Sequence, residues 1–153
     1  MRYECGYDHH NGEAEWIKRE LFEWVTDIFE APQVSIGIRA TTGIRGHIRN
    51  EITVAGWSDE VPLCPDSDMT IFSMKGDLAF QLQTGNASRA PYDLLKLQYL
   101  YAEKRIEAAA FAVPVRTAAN AIGQNIASFE RIEKELAIFD RIITVPILLI
   151  GFA

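Results

Sequence analysis

Phe72, Gln81 and Gln83 stand at the places in this chain where acids would do the most chemistry. Residues 71–83, IFSMKGDLAFQLQ, contain two apolar, β-rich runs around Lys75-Gly76-Asp77. The pattern predicts a hairpin of residues 69–74 and 78–83, turning at Gly76-Asp77, with Phe72 opposite Gln81 and alternate residues sharing a face. Carboxylates at those two positions, with a polar group two residues on, would bind Mg²⁺ and activate water. Here they are a phenyl ring and two amides. Gln81 brings no charge to offset a dication and Phe72 cannot ligate, so no intact metal site is expected.

Other acids are poorly placed to substitute. Asp77 lies in the turn. Asp68 shares the strand parity of Phe72 but is four residues away, roughly 13 Å at strand rise. Asp66 follows Pro65, yet its partner positions are still Gln81 and Gln83. His9 and His10 are adjacent and point apart on any regular element, which favours surface or capping roles over a shared metal. GIRG at residues 43–46 lacks the phosphate-loop pattern, and no nucleophile-elbow motif is present.

Several elements must position the hairpin. Asn11 is the expected cap of a helix carrying Ile17, Leu21, Trp24, Val25 and Ile28, ending before Pro32. Residues 33–39 have strand composition, residues 40–47 read as a loop, and residues 48–54 as a short helix. Residues 58–68, with two prolines and several acids, form a loop into the hairpin. Pro91 opens a helix with Leu94, Leu97 and Tyr101 on one arc and Leu95 and Tyr99 one turn round. Residues 109–115 are a buried strand, 128–139 an amphipathic helix and 142–152 a last apolar strand. Strands joined by helices imply parallel crossovers, giving an α/β sandwich: a mixed sheet with the hairpin at one side and helices on both faces.

The 153 residues form one domain, 1–153, with 48% hydrophobic residues and a net charge of −6. That charge argues against indiscriminate polyanion binding. No apolar run approaches membrane length, and the first residues show no apolar leader, so a cytoplasmic protein without a membrane partner is expected. Cys5 and Cys64 lack metal or redox spacing and are expected to stay reduced. Residues 31–50 hold Arg39, Arg45, His47 and Arg49 and no acid. They offer either one basic face on an acidic body or a solvated loop paired to nearby acids.

Taken together, YDHHNGEAEW, RNEITVAGW, GDLAFQLQTGNASRAPYDLLKLQYLY, ERIEKELAIF and ITVPILLIGFA, in that order, resemble the BglII and BstYI type of restriction endonuclease, of the PD-(D/E)XK fold. The family's core reads Asp, eight residues, Glu, one residue, Gln. Laid on it, the Asp position is Phe72, the Glu position is Gln81, and the Gln is kept as Gln83. The resemblance also implies a homodimer, and base contacts from loops that here hold Gly85, Asn86 and Ser88, then Asn120, Gln124, Asn125 and Ser128. Asn and Gln suit adenine edges in the major groove, and equally suit turns.

Three readings follow. The leading one is a catalytically degenerate BglII-like protein without cofactor, acting as a DNA-binding or assembly subunit, on double-stranded DNA or with an active nuclease as partner. The second is an active Mg²⁺-dependent endonuclease with relocated ligands. The third is a protein-interaction module without DNA affinity. The enzyme question leans to no.

Overall fold

A computed structural model describes all 153 residues. Its centre is a five-stranded mixed sheet in the order β1-β7-β6-β5-β4. β5 (Leu78–Leu82), β6 (Ala108–Pro114) and β7 (Ile147–Phe152) run parallel, while β1 (Tyr3–His9) and β4 (Ser73–Lys75) are the antiparallel edges. β2 (Val61–Pro62) and β3 (Thr70–Ile71) make a separate two-stranded ribbon.

Every residue of β5, β6 and β7 is buried, because helices cover both faces. One face carries Leu78, Phe80, Ala108, Ala110, Leu148, Ile150 and Phe152 and packs against α1 (Gly12–Lys18), α2 (Phe22–Asp27) and α3 (Thr41–Val54). The opposite face, with Ala79, Ala109, Phe111, Ile147 and Leu149, packs against α4 (Ala90–Ala102) and α6 (Phe129–Ile138). α5 (Arg116–Ile122) fills the connection before α6. No helix is long and apolar enough to cross a membrane.

All three tryptophans lie on the first face. Trp57 is stacked between Trp16 and Trp24, with ring centroids at 5.8 and 5.4 Å, and its edge meets Phe80. The indole N–H groups of Trp16 and Trp57 are buried without an acceptor. Close approach also fixes Gly12: a Cβ there would stand 2.1 Å from the backbone of Ile147, so only glycine lets α1 begin against β7.

The structure departs from the sequence expectations at four places. The first predicted helix is two helices, because Glu20 adopts a left-handed φ of 57° and ends α1; Asn11 is itself left-handed and makes no side-chain cap. Residues 33–39 form turns instead of a strand, with Ile38 85% exposed and Arg39 at φ 67°. No strand pairs with them. α3 begins at Thr41, through Gly43 and Gly46, because Ile44, Ile48 and Ile52 are all fully buried along one stripe. Finally, β1 takes a stretch that composition left unassigned, and the last strand starts at Ile147, not at 142.

Candidate functional site at the open end of the hairpin

The β4–β5 hairpin turns at Gly76-Asp77, with Gly76 at φ 57°, and pairs Ser73 with Phe80, Met74 with Ala79 and Lys75 with Leu78. The paired register stops at Ser73 and Phe80; one residue on, the Gln81 Oε1 accepts the Phe72 backbone N–H at 2.9 Å. The chain bends at Phe72, and its ring meets that of Phe80, centroids 6.0 Å apart. Ring and amide nevertheless line one cleft of about 720 Å³, with Gln83, Arg45, Glu60, Arg89, Asp93 and Lys96 among its walls.

The Phe72 ring is covered by two cations. The guanidinium carbon of Arg49 lies 3.9 Å from the ring centroid and that of Arg45 4.9 Å away. Arg49 donates to the carbonyl of Phe72 at 2.9 Å and to that of Ser58 at 3.5 Å. Burial pushes its pKa below the ordinary value, opposed by Glu60 and Asp59 and reinforced by Arg45. Glu60 stands 3.8 Å from Arg49 and 3.7 Å from Arg45. Arg45 is the freer cation, 41% exposed, with one long bond of 3.4 Å to the Leu82 carbonyl.

The deep wall is polar and internally satisfied. Gln83 donates from Nε2 to Asp93 at 2.6 Å and accepts through Oε1 from the Gly85 N–H at 2.7 Å. The other Asp93 oxygen accepts from Lys96 at 2.9 Å. Asp93, 4% exposed, is the only buried carboxylate of the chain. Sequence reasoning missed this pair, though an acid in the first turn of α4 with a lysine three residues on was a readable signal.

A Mg²⁺ ion would need hard, unencumbered oxygens. The oxygens of Gln81, Gln83 and Asp93 are all engaged by N–H donors, Arg45 and Arg49 hold positive charge beside position 72, and Glu60, the other carboxylate of the wall, is shared between those two arginines. The donor set does not fit the ion. Asp66 and Asp68 are exposed in the loop before β3 and lie outside the cleft wall.

The structure divides the residues expected to contact DNA. Arg45 and Arg49 reach the cleft side of α3, but His47 projects to another side and donates to the carbonyl of Ile28 at 2.8 Å. Arg39 is exposed in the preceding loop. These four do not form one basic face. Asn86, Ser88 and Asn125 do converge: the Asn86 Oδ1 accepts from the Ser88 N–H and hydroxyl, both at 2.8 Å, and from the Asn125 amide at 3.1 Å. Gln124 is exposed beside them.

His9 and His10 also come together, against expectation. His10 adopts a left-handed φ of 51°, which brings the two rings edge to face at 4.3 Å. The cysteines are both free, and burial raises the pKa of Cys5.

No curated protein sequence matches the chain. The closely similar folds include the crystal structure of restriction endonuclease BglII complexed with a DNA 16-mer, at 16% identity and a TM-score of 0.83, covering 99% of this chain and 76% of that one. Free BglII follows at 14% identity and a TM-score of 0.74, covering 100% of this chain and 80% of that one. Residues 5–152 match the family of restriction endonucleases BglII/BglIII. A family match over nearly the whole length means that this chain belongs to the BglII restriction endonuclease family.

Proposed function

We propose that this chain is a catalytically degenerate member of its family that holds double-stranded DNA in the cleft without cutting it. The observation that carries this reading is the exchange at position 72, where a phenyl ring under two guanidinium groups replaces the expected acid and metal. Arg45 is the phosphate-seeking group, since its only ion-pair partner is 3.7 Å away and half-exposed. Lys96 is tied to Asp93 and Arg49 to backbone carbonyls, so they shape the wall. The Asn86, Ser88, Asn125 cluster with Gln124 stands one residue beyond Gly85 of the cleft, a place suited to base edges. The chain acts as a homodimer or beside an active nuclease, and the exposed stripe of Tyr92, Leu95 and Tyr99 on α4 supports such assembly.

A second reading, an active nuclease with relocated ligands, draws on Asp93, the one buried acid facing the cleft beside Gln83.

One experiment separates them. Fluorescence anisotropy on duplex DNA over a salt series should show binding whose logarithm falls with the logarithm of salt, and Arg45→Ala should flatten that slope by about one counterion. Incubation of the same DNA with Mg²⁺ or Mn²⁺ should leave it intact. Sequence-specific products abolished by EDTA and by Asp93→Asn would establish the second reading instead, and absence of DNA binding at low salt would leave a protein-interaction module.

A further inference from the structure

At the opposite end of the sheet from the cleft, β1 ends at His9, paired with Ile147 at the start of β7. There, one ring nitrogen each of His9 and His10 and one carboxylate oxygen of Asp140 lie within 4.8 Å of one another. The two adjacent histidines and the distant Asp140 are held by different means. His9 is 2% exposed, and its Nε2–H donates to the Ile143 carbonyl at 2.6 Å. That bond fixes the ring and its tautomer, leaving Nδ1 with the lone pair. A metal-bound histidine is characteristically oriented in this way, by a backbone carbonyl on its second nitrogen. His10 is set by its left-handed backbone and reaches the Asp140 carboxylate at 3.2 Å and the Asp140 carbonyl at 2.9 Å, both through Nε2.

We infer that His9, His10 and Asp140 form a binding site for a divalent transition-metal ion of the Zn²⁺ class. Two imidazoles and one carboxylate are the donor set of three-ligand zinc centres, and hard ions such as Mg²⁺ prefer all-oxygen surroundings. A tetrahedral ion with bonds of about 2.1 Å sets its ligands about 3.4 Å apart. The 3.2 Å between His10 Nε2 and Asp140 Oδ1 already has that span; an ion there takes the place of the Nε2 proton, which otherwise goes to the Asp140 carbonyl at 2.9 Å, and the neutral ring then carries its proton on Nδ1. The other two separations, both to His9 and within 4.8 Å, close by a small movement of exposed side chains, because His10 and Asp140 are 35% and 58% exposed. Asp8 stays outside the site, since its Oδ1 accepts the Glu13 N–H at 2.9 Å. The fourth position faces solvent and takes water. Bound there, the ion staples the end of β1 to the segment between α6 and β7.

The test uses the full chain without a polyhistidine tag, stripped by chelator. Titration with Co²⁺, followed by the visible absorption of tetrahedral cobalt, and with Zn²⁺, followed by calorimetry and thermal melting, should show one ion per chain and a metal-dependent rise in Tm. Mg²⁺ should give neither signal. His10→Ala and Asp140→Ala alter exposed groups, so both should fold with an unchanged metal-free Tm, lose affinity about tenfold or more, and lose the Tm response. A wild-type chain that binds no Co²⁺ or Zn²⁺ overturns the assignment. So does binding that survives unchanged in both variants, which would move the ion elsewhere.

Discussion

The two ends of the β4–β5 hairpin treat their arginines in opposite ways. At the turn, Arg19 is clamped by two carboxylates, Glu15 and Asp77, at 2.5 Å each, and also reaches the Glu15 carbonyl. Its guanidinium is thereby raised in pKa and Asp77 held below the usual carboxylate range. At the open end, Arg45 and Arg49 share one acid, Glu60, at 3.7 and 3.8 Å, and spend their flat faces on Phe72. A saturated arginine holds the fold together. An unsaturated one keeps N–H groups for something outside the chain, and the difference separates scaffold from site on the same supersecondary unit.

The largest test of that contrast rebuilds the acids. Phe72→Asp with Gln81→Glu removes a buried ring, at a cost of about 3–5 kcal/mol. It also puts carboxylates beneath Arg45 and Arg49, which neutralise them before a metal can. We expect weak Mn²⁺ binding by calorimetry, tightened when Arg49→Ala is added. A folded triple variant with no Mn²⁺ heat would show that positions 72 and 81 are not vacated ligand sites.

A smaller effect separates the two arginines of the open end. Arg49→Ala strips the Phe72 and Ser58 carbonyls of a donor and should cost about 1–3 kcal/mol in denaturant unfolding, while Arg45→Ala should stay within about 0.5 kcal/mol. Equal losses would dissolve the distinction between wall and site.

The smallest effect belongs to the turn. Asp77 is half-exposed, so screening limits its pair with Arg19, and Asp77→Asn should cost only about 0.5 kcal/mol at neutral pH. Because its folded pKa is depressed, this stabilisation is present above the unfolded value near 3.8 and is lost as pH falls through the folded value. Wild type and variant should therefore converge in acid. A gap that persists at low pH would mean the turn is held by something other than charge.

The hairpin register was legible because a two-residue Gly-Asp turn between apolar runs fixes pairing by local chemistry alone. α4 was legible from Pro91 and the Leu94 and Leu97 spacing. The stripe of Ile44, Ile48 and Ile52 was equally readable, but glycines at 43 and 46 masked the first half of α3; tertiary burial outweighed their low propensity. β1 was written in the alternation of Tyr3, Cys5, Tyr7 and His9 against Glu4, Gly6 and Asp8, and went unseen because its polar face suits an edge strand. At the site, the identities of Phe72, Gln81 and Gln83 were plain in the sequence. Their engagement was not: Asp93 meets Gln83 across a helix and a strand, and His10 meets Asp140 only through a left-handed residue. Such meetings depend on tertiary contacts that spacing does not encode.

The Trp16, Trp57 and Trp24 stack gives the molecule an optical asymmetry. Every indole reports from the α1–α3 side, and the core under α4 and α6 contains tyrosine but no tryptophan. Intrinsic emission excited at the indole band is thus blind to loosening beneath α4, where tyrosine signals and backbone dichroism still respond. Melting curves from these two kinds of light will coincide only if both layers of the sandwich unfold as one cooperative unit.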